Sequence, residues 1–204
     1  MKSQRLAAAL ILFIFTFSAL ACGSQVIATP TATPTATPIS MTTYTDETGV
    51  ITVSLPSKWS YVSKTSSYEN SVRIPQIIAS TDKAKFDEFS APGIAIGVSK
   101  AVSMTSDEAI TLFKNKVSSL LFNAACKQFY DHTYYDRVYD GFLQKYSNCN
   151  SFDNHFIVLI AKLAKTDVIV YVMFNSELFQ NSSKADDMFE AILATLKVDA
   201  SLLP

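Results

Sequence analysis

The stretch Thr48-Gly49-Val50-Ile51-Thr52-Val53-Ser54-Leu55-Pro56-Ser57-Lys58-Trp59 decides the fold. A turn glycine leads into an alternation with Ile51, Val53 and Leu55 on one side and Thr52 and Ser54 on the other. That is the period of a half-buried strand. Pro56 has no N–H to give and ends the ladder. Trp59, the only tryptophan, is placed to fold back over the apolar face. Everything before this strand reads as export signal and tether, and everything after it as one domain that the strand opens.

Upstream, residues 1–21 have the layout of a secretory signal. Lys2 and Arg5 form a positive start, Leu6 to Phe17 an apolar run broken only by Thr16, and small residues lead to Cys22. The apolar run is short and passes directly into polar chain, which argues against a permanent span. Ala19-Leu20-Ala21-Cys22 resembles the lipobox of bacterial lipoproteins, with leucine two rather than three positions before the cysteine. The resemblance implies a lipid anchor at Cys22, and acyl chains of roughly 0.8 kcal/mol per buried methylene would hold the protein at the extracytoplasmic face of the cell membrane. A plain signal cleaved near Ala21 is the alternative. Residues 22–40 form an Ala/Thr/Pro linker in which Pro30, Pro34 and Pro38 recur after Thr. Each proline fixes φ and biases its predecessor toward extended backbone, so the segment is a semi-rigid spacer with no core of its own. Its Thr and Pro density fits either O-glycosylation or a bare linker.

Residues 41–204 are left for a single domain of ordinary size. The formal net charge of the whole chain is −1, and loss of Lys2 and Arg5 leaves 15 basic and 18 acidic side chains. Nothing there points to nucleic acid.

Within the domain, Asp46 to Gly49 reads as a turn, and Pro75 interrupts the apolar run Val72 to Ser80, which places that part at an edge or bulge. Asp82 to Phe89 reads as a loop or a single helical turn. Ile94-Ala95-Ile96-Gly97-Val98 is a strand with large residues on one face and small ones on the other. Thr105 and Glu108 have capping-box spacing before a helix whose stripe is Ile110, Phe113, Val117, Leu120 and Leu121. Asp140-Gly141 reads as a hairpin turn within a tyrosine-rich ribbon. Phe156 to Leu163 and Val168 to Phe174 are the most strand-like runs and should pair antiparallel at the sheet centre. Ser182 or Ser183 can cap a last helix with the stripe Met188, Phe189, Ile192, Leu193 and Leu196. The order is strands, helix, strands, helix, without βαβ alternation. The fold class is therefore α+β, an antiparallel sheet flanked by helices after a disordered tether.

The opening Tyr44, Asp46, Gly49, Pro56 and Trp59 resemble the element with which PsbP-like domains begin, with a slightly stretched Gly-to-Pro spacing. The exit Thr195-Leu196-Lys197-Val198 is similar as well. The resemblance runs from about Met41 to Val198 and implies an α/β/α sandwich. It also implies a mostly non-catalytic role in scaffolding, accessory or binding functions, and it transfers no ligand-binding residue. A pair of cysteines is not a required feature of such domains.

Three cysteines are present. With Cys22 assigned to the anchor, Cys126 and Cys149 are the remaining pair in an exported chain, where a disulfide is the default. His132 and His155 are the only histidines. Neither lies near a serine in a nucleophile elbow. His132 has Asp131, Asp136 and Asp140 nearby, but the spacing matches no metal loop, and a solvated acidic loop is simpler. His155 heads a strand and reads as a strand-edge side chain. No phosphate loop, dinucleotide fingerprint or zinc-ligand pair occurs, and five glycines leave little for a backbone cradle. No catalytic residue, metal or cofactor is expected. Asn181-Ser182-Ser183 is formally a glycosylation sequon, but in a bacterial lipoprotein its reading as a helix cap prevails.

Tyr130, Tyr134, Tyr135, Tyr139 and Tyr146 are the candidate interaction surface, because tyrosine gives contact area and a polar tip at low entropy cost. The same alternation also arises on a half-buried ribbon for structural reasons alone. The first functional reading is a membrane-tethered, non-catalytic module that binds another extracytoplasmic protein. The others are a carrier of a small molecule or lipid, which needs an apolar cavity, and a hydrolase, which needs a polar cleft around His132 or His155.

Overall fold

The computed structural model describes residues 39–69, 72–101, 105–176 and 182–203. Cys22, the signal segment, almost all of the Thr/Pro spacer and Asn181 lie outside the described residues. Twelve described strands can be followed in chain order. They are β1 (Met41–Thr45), β2 (Ile51–Pro56), β3 (Tyr61–Ser63), β4 (Ser67–Glu69), β5 (Val72–Ile74), β6 (Gln76–Ser80), β7 (Gly93–Lys100), β8 (Lys127–Tyr135), β9 (Tyr139–Ser147), β10 (His155–Leu163), β11 (Val168–Ser176) and β12 (Lys197–Val198). Helix α1 (Lys83–Asp87) precedes β7, α2 (Ser106–Asn123) follows it, and α3 (Ser182–Leu193) follows β11. The main sheet has the order β3-β6-β7-β11-β10-β9-β8, antiparallel throughout. A smaller sheet, β1-β2-β12, and a ribbon, β4-β5, complete the strands.

The opening motif has a mechanical explanation. Asp46 is buried, and its carboxylate accepts from the Ile51 N–H at 2.7 Å and the Thr48 N–H at 2.9 Å. It also accepts from the Thr48 hydroxyl. Gly49 turns the chain at φ +79°, in the left-handed region that a side chain resists. The turn thus delivers β2 with Ile51, Val53 and Leu55 buried. Trp59 is buried beside them, its ring 6.5 Å from that of Phe174.

Two apolar layers sandwich the main sheet. One is built from Val53, Leu55, Trp59, Ile94, Ile96, Phe174, Phe189 and Ile192, so α3 and the small sheet cover this face. The other gathers Ile110, Leu121, Tyr146, Phe156, Val158 and Ile160 beneath α2. The capping box forms at Thr105 and Glu108. β10 and β11 pair near the sheet centre, and Pro75 separates β5, which joins the ribbon, from β6, which stays in the main sheet. Asp82 caps the single short helix α1.

Two expectations are corrected. Asp140-Gly141 is not the hairpin turn; both residues lie within β9, opposite Tyr135 and Tyr134 of β8. The turn is Asp136–Val138, and the Asp136 carboxylate accepts from the N–H groups of Val138 and Tyr139 at 2.6 and 2.7 Å. Gly141 is glycine because a Cβ there would come within 2.1 Å of the Ile160 carbonyl oxygen. His155 is not at a strand edge. It opens β10, between β9 and β11, and is fully buried.

Candidate functional site

β8 is the last strand of the main sheet, and almost every side chain on it is exposed. Cys126, just after α2, is joined by a disulfide to Cys149, just after β9. The crosslink and the Asp136 turn hold the two ends of the β8–β9 hairpin.

The open edge can be read from the register. The Asp136 N–H donates to the Tyr139 carbonyl at 3.0 Å, which makes 136 and 139 a bonded pair. Bonded and non-bonded pairs alternate along an antiparallel ladder. Tyr134, His132 and Tyr130 therefore exchange bonds with Gly141, Leu143 and Lys145, while Tyr135, Thr133 and Asp131 turn their N–H and C=O groups away from β9. A register shift between Gln128 and Tyr130 puts Phe129 in a bulge. Tyr135 and Phe129 are 82 % and 52 % exposed.

Polar groups flank this hairpin on both sides: Lys114 of α2 pairs with Asp131 at 2.9 Å on one, and a second set lies on the α3 side. The Lys145 ammonium donates to both Asp186 oxygens at 2.8 Å and stands 5.3 Å from the centroid of Tyr130. The rings of Tyr130 and His132 are 4.4 Å apart, and the Tyr134 hydroxyl donates to Asp136 at 3.0 Å. The Phe129 ring lies 5.3 Å from that of His155, whose Nε2 is 3.7 Å from Asp186. Burial outweighs the attraction of Asp186 and holds the His155 pKa below its usual value, aided by the Lys145 charge. Partial burial and the charges of Asp136 and Asp186 push the Glu190 carboxyl up. Burial also acts to raise Asp136, but the N–H groups of Tyr139 and Val138 and the Tyr134 hydroxyl prevail and lower it.

The five candidate tyrosines divide. Tyr130 and Tyr135 are exposed, and Tyr134 is half-buried against the α3-side layer. Tyr139 and Tyr146 are core residues, a correction to their place on an interaction surface. They sit on β9, which has a neighbour on each side, and point into opposite layers. Burial pushes Tyr139 up to about 12. The Tyr146 hydroxyl meets Ser118 of α2 at 3.2 Å. The sequence reading missed Phe129, which period-two alternation hides because it sits in a bulge, and the Lys145–Asp186 pair, which joins distant segments. His132 lies exposed on β8, and His155 lies buried beneath Phe129. Among the described residues, no three His, Cys, Asp or Glu side chains are grouped to hold a metal ion.

No family model matches this sequence, and no curated protein does. Solved structures do match in fold. The Ran-binding protein Mog1p of Saccharomyces cerevisiae superimposes with a TM-score of 0.52 at 15 % identity, over 82 % of this chain and 100 % of that one. Cyanobacterial PsbP (CyanoP) from Synechocystis sp. PCC 6803 gives 0.51 at 10 % identity, over 83 % and 99 %. At such identities the likeness is one of fold: the domain has the PsbP-like α+β architecture.

Proposed function

We propose that this chain is a surface-tethered extracytoplasmic lipoprotein, anchored through Cys22, whose domain is a non-catalytic interaction or accessory module. The domain binds another extracytoplasmic protein, which adds an extended segment to the open edge of β8. The observation that carries this reading is the outward main-chain groups of Asp131, Thr133 and Tyr135 beside the exposed rings of Phe129, Tyr130 and Tyr135. Main-chain bonds of that kind supply affinity, and flanking side chains supply selectivity. The description of a fold neighbour as Ran-binding supports protein recognition on this architecture. A hydrolytic role has no support from the two histidines, which lie on different strands, His155 being sealed in the core.

The test is an affinity pull-down from detergent extracts with the domain from Met41 onward, run in parallel with Thr133→Pro and Tyr135→Asp. Thr133 gives no bond to β9, so proline there removes an outward donor without taking a bond from the β8–β9 ladder. A partner captured by the parent domain and lost with Thr133→Pro is expected. Capture indifferent to both variants, or a turnover abolished by His132→Ala or His155→Ala, overturns the reading.

A further inference from the structure

The main sheet is loaded unequally on its two faces. β7 sends Ile94, Ile96 and Val98 to the α3 side, where they are fully buried, and Ala95, Gly97 and Ser99 to the α2 side. α2 packs over β10 and β11. Its stripe divides accordingly: Ile110 and Leu121 are buried, Phe113 and Val117 are half-buried, and Leu120 is 49 % exposed. Between α2 and the β4-β5 ribbon an open groove of about 340 Å³ remains, walled by Ile74, Phe113, Val117, Leu120, Tyr171 and Met173. Tyr68, 70 % exposed, stands at its rim.

We propose that this groove binds a single acyl chain carrying an anionic head group. The floor is preformed. The Tyr171 ring lies over Gly97, where a Cβ would approach its atoms to 2.1–2.2 Å, and it stacks on Phe113 with centroids 6.0 Å apart and planes at 21°. The Gln76 amide donates to the Tyr171 hydroxyl, so the polar groups on the floor engage each other. A peptide main chain buried here would find few partners for its N–H and C=O groups, whereas a hydrocarbon chain needs none. The volume falls in the lower part of the range for small-molecule sites, about 300–1,000 Å³. Among the described residues of the lining Lys116 carries the charge, and its ammonium lies 6.0 Å from the Phe113 centroid. The positive charge that Lys116 brings to the groove is complementary to an anionic head group. This site is on the opposite face from α3 and is independent of the β8 edge.

The experiment uses the full chain in phosphatidylcholine nanodiscs with a diazirine-bearing dodecanoate, adducts being mapped by mass spectrometry. Adducts are expected on Tyr68, on the α2 segment 113–120 and on Tyr171. Unlabelled dodecanoate should displace the probe, and each methylene removed from the competitor should weaken it about fourfold. Leu120→Trp, which fills the groove from a half-exposed position, should abolish those adducts, and Tyr68→Ala should weaken them. Lys116→Glu should weaken dodecanoate several-fold and leave dodecanol unchanged. Adducts outside the lining, or lining adducts indifferent to both Leu120→Trp and Tyr68→Ala, overturn the site. Equal displacement by dodecyltrimethylammonium overturns the anionic head. Lining adducts that no fatty acid displaces point to a partner segment and overturn the acyl chain.

Discussion

Gly97→Ala tests how the two faces of the sheet were built. The new Cβ would meet the Tyr171 ring at 2.1–2.2 Å, far inside contact distance, so one of the two must move. Tyr171 is not free to swing, because doing so breaks its contact with Gln76 and unstacks it from Phe113. Overpacking of this kind costs about 1–3 kcal/mol. With a urea slope of about 2 kcal/mol per molar, the midpoint should fall by about 1 M. Trp59 reports unfolding directly, since it is the sole tryptophan and 3 % exposed in the folded state. The decisive measurement is the double-mutant cycle. Tyr171→Ala alone should cost about 3 kcal/mol, the low end for a large aromatic truncation, because the side chain keeps part of its surface exposed. In that background Gly97→Ala should be neutral, or stabilising by up to about 1 kcal/mol through the lower backbone entropy of alanine. The coupling between the two sites is therefore about 2 kcal/mol. A Gly97→Ala penalty that persists undiminished without Tyr171 would show that the strain is in the backbone and refute the account. Gly141→Ala is the contrast: its Cβ meets the Ile160 carbonyl oxygen and the Ala161 Cα, which no side-chain truncation can relieve.

Two further outcomes are expected. Cys126→Ser with Cys149→Ser opens a crosslink between residues 23 apart and should lower stability by about 3 kcal/mol in urea, a loss that dithiothreitol reproduces in the parent protein; a loss below about 1 kcal/mol would mean the hairpin is held without it. His155 contributes a pH dependence whose sign is fixed by its lowered pKa. The unfolded chain takes up a proton near pH 6.5 that the folded chain still refuses, so this contribution is complete above about pH 6.5 and is lost as pH falls through the lower folded value. Asp186, Lys145 and the Phe129 ring face it from α3, β9 and β8. In His155→Gln the slope between pH 6.5 and 5 should flatten, read by urea midpoints at several pH values. An unchanged slope would assign it to other groups.

Local chemistry was legible where a few adjacent residues settle the geometry. The Asp46–Gly49 turn, the Thr105–Glu108 capping box, the Pro75 break and the strand-like runs that become β10 and β11 each need only near neighbours. Face assignment by alternation also held in β2 and β7. What alternation cannot supply is which strands acquire a neighbour on each side. Tyr135 and Tyr139 are four residues apart in one aromatic run, yet one lies on the open edge and the other in the core, because β9 is followed across the sheet by β10 and β8 is followed by nothing described. His155 was misplaced for the same reason.

The large-and-small alternation of Ile94-Ala95-Ile96-Gly97-Val98 was visible from the start, but its consequence depends on β11 lying beside β7. Small residues on a sheet face are neutral in themselves: a helix set closer would fill the space, and a bulky neighbour would fill it from the side. Here Tyr171 crosses Gly97 from the adjacent strand and meets Gln76, 95 residues away in sequence. One ring thereby replaces the missing side chain of β7, fixes the floor and leaves the space above it open beside α2. A larger residue at 97 would displace Tyr171 from that floor, and a larger one at 117 or 120 would occupy the space above it. The glycine and the half-exposed stripe of α2 are thus two parts of one arrangement, and the coupling measured at 97 and 171 bears directly on whether the groove exists before any ligand arrives.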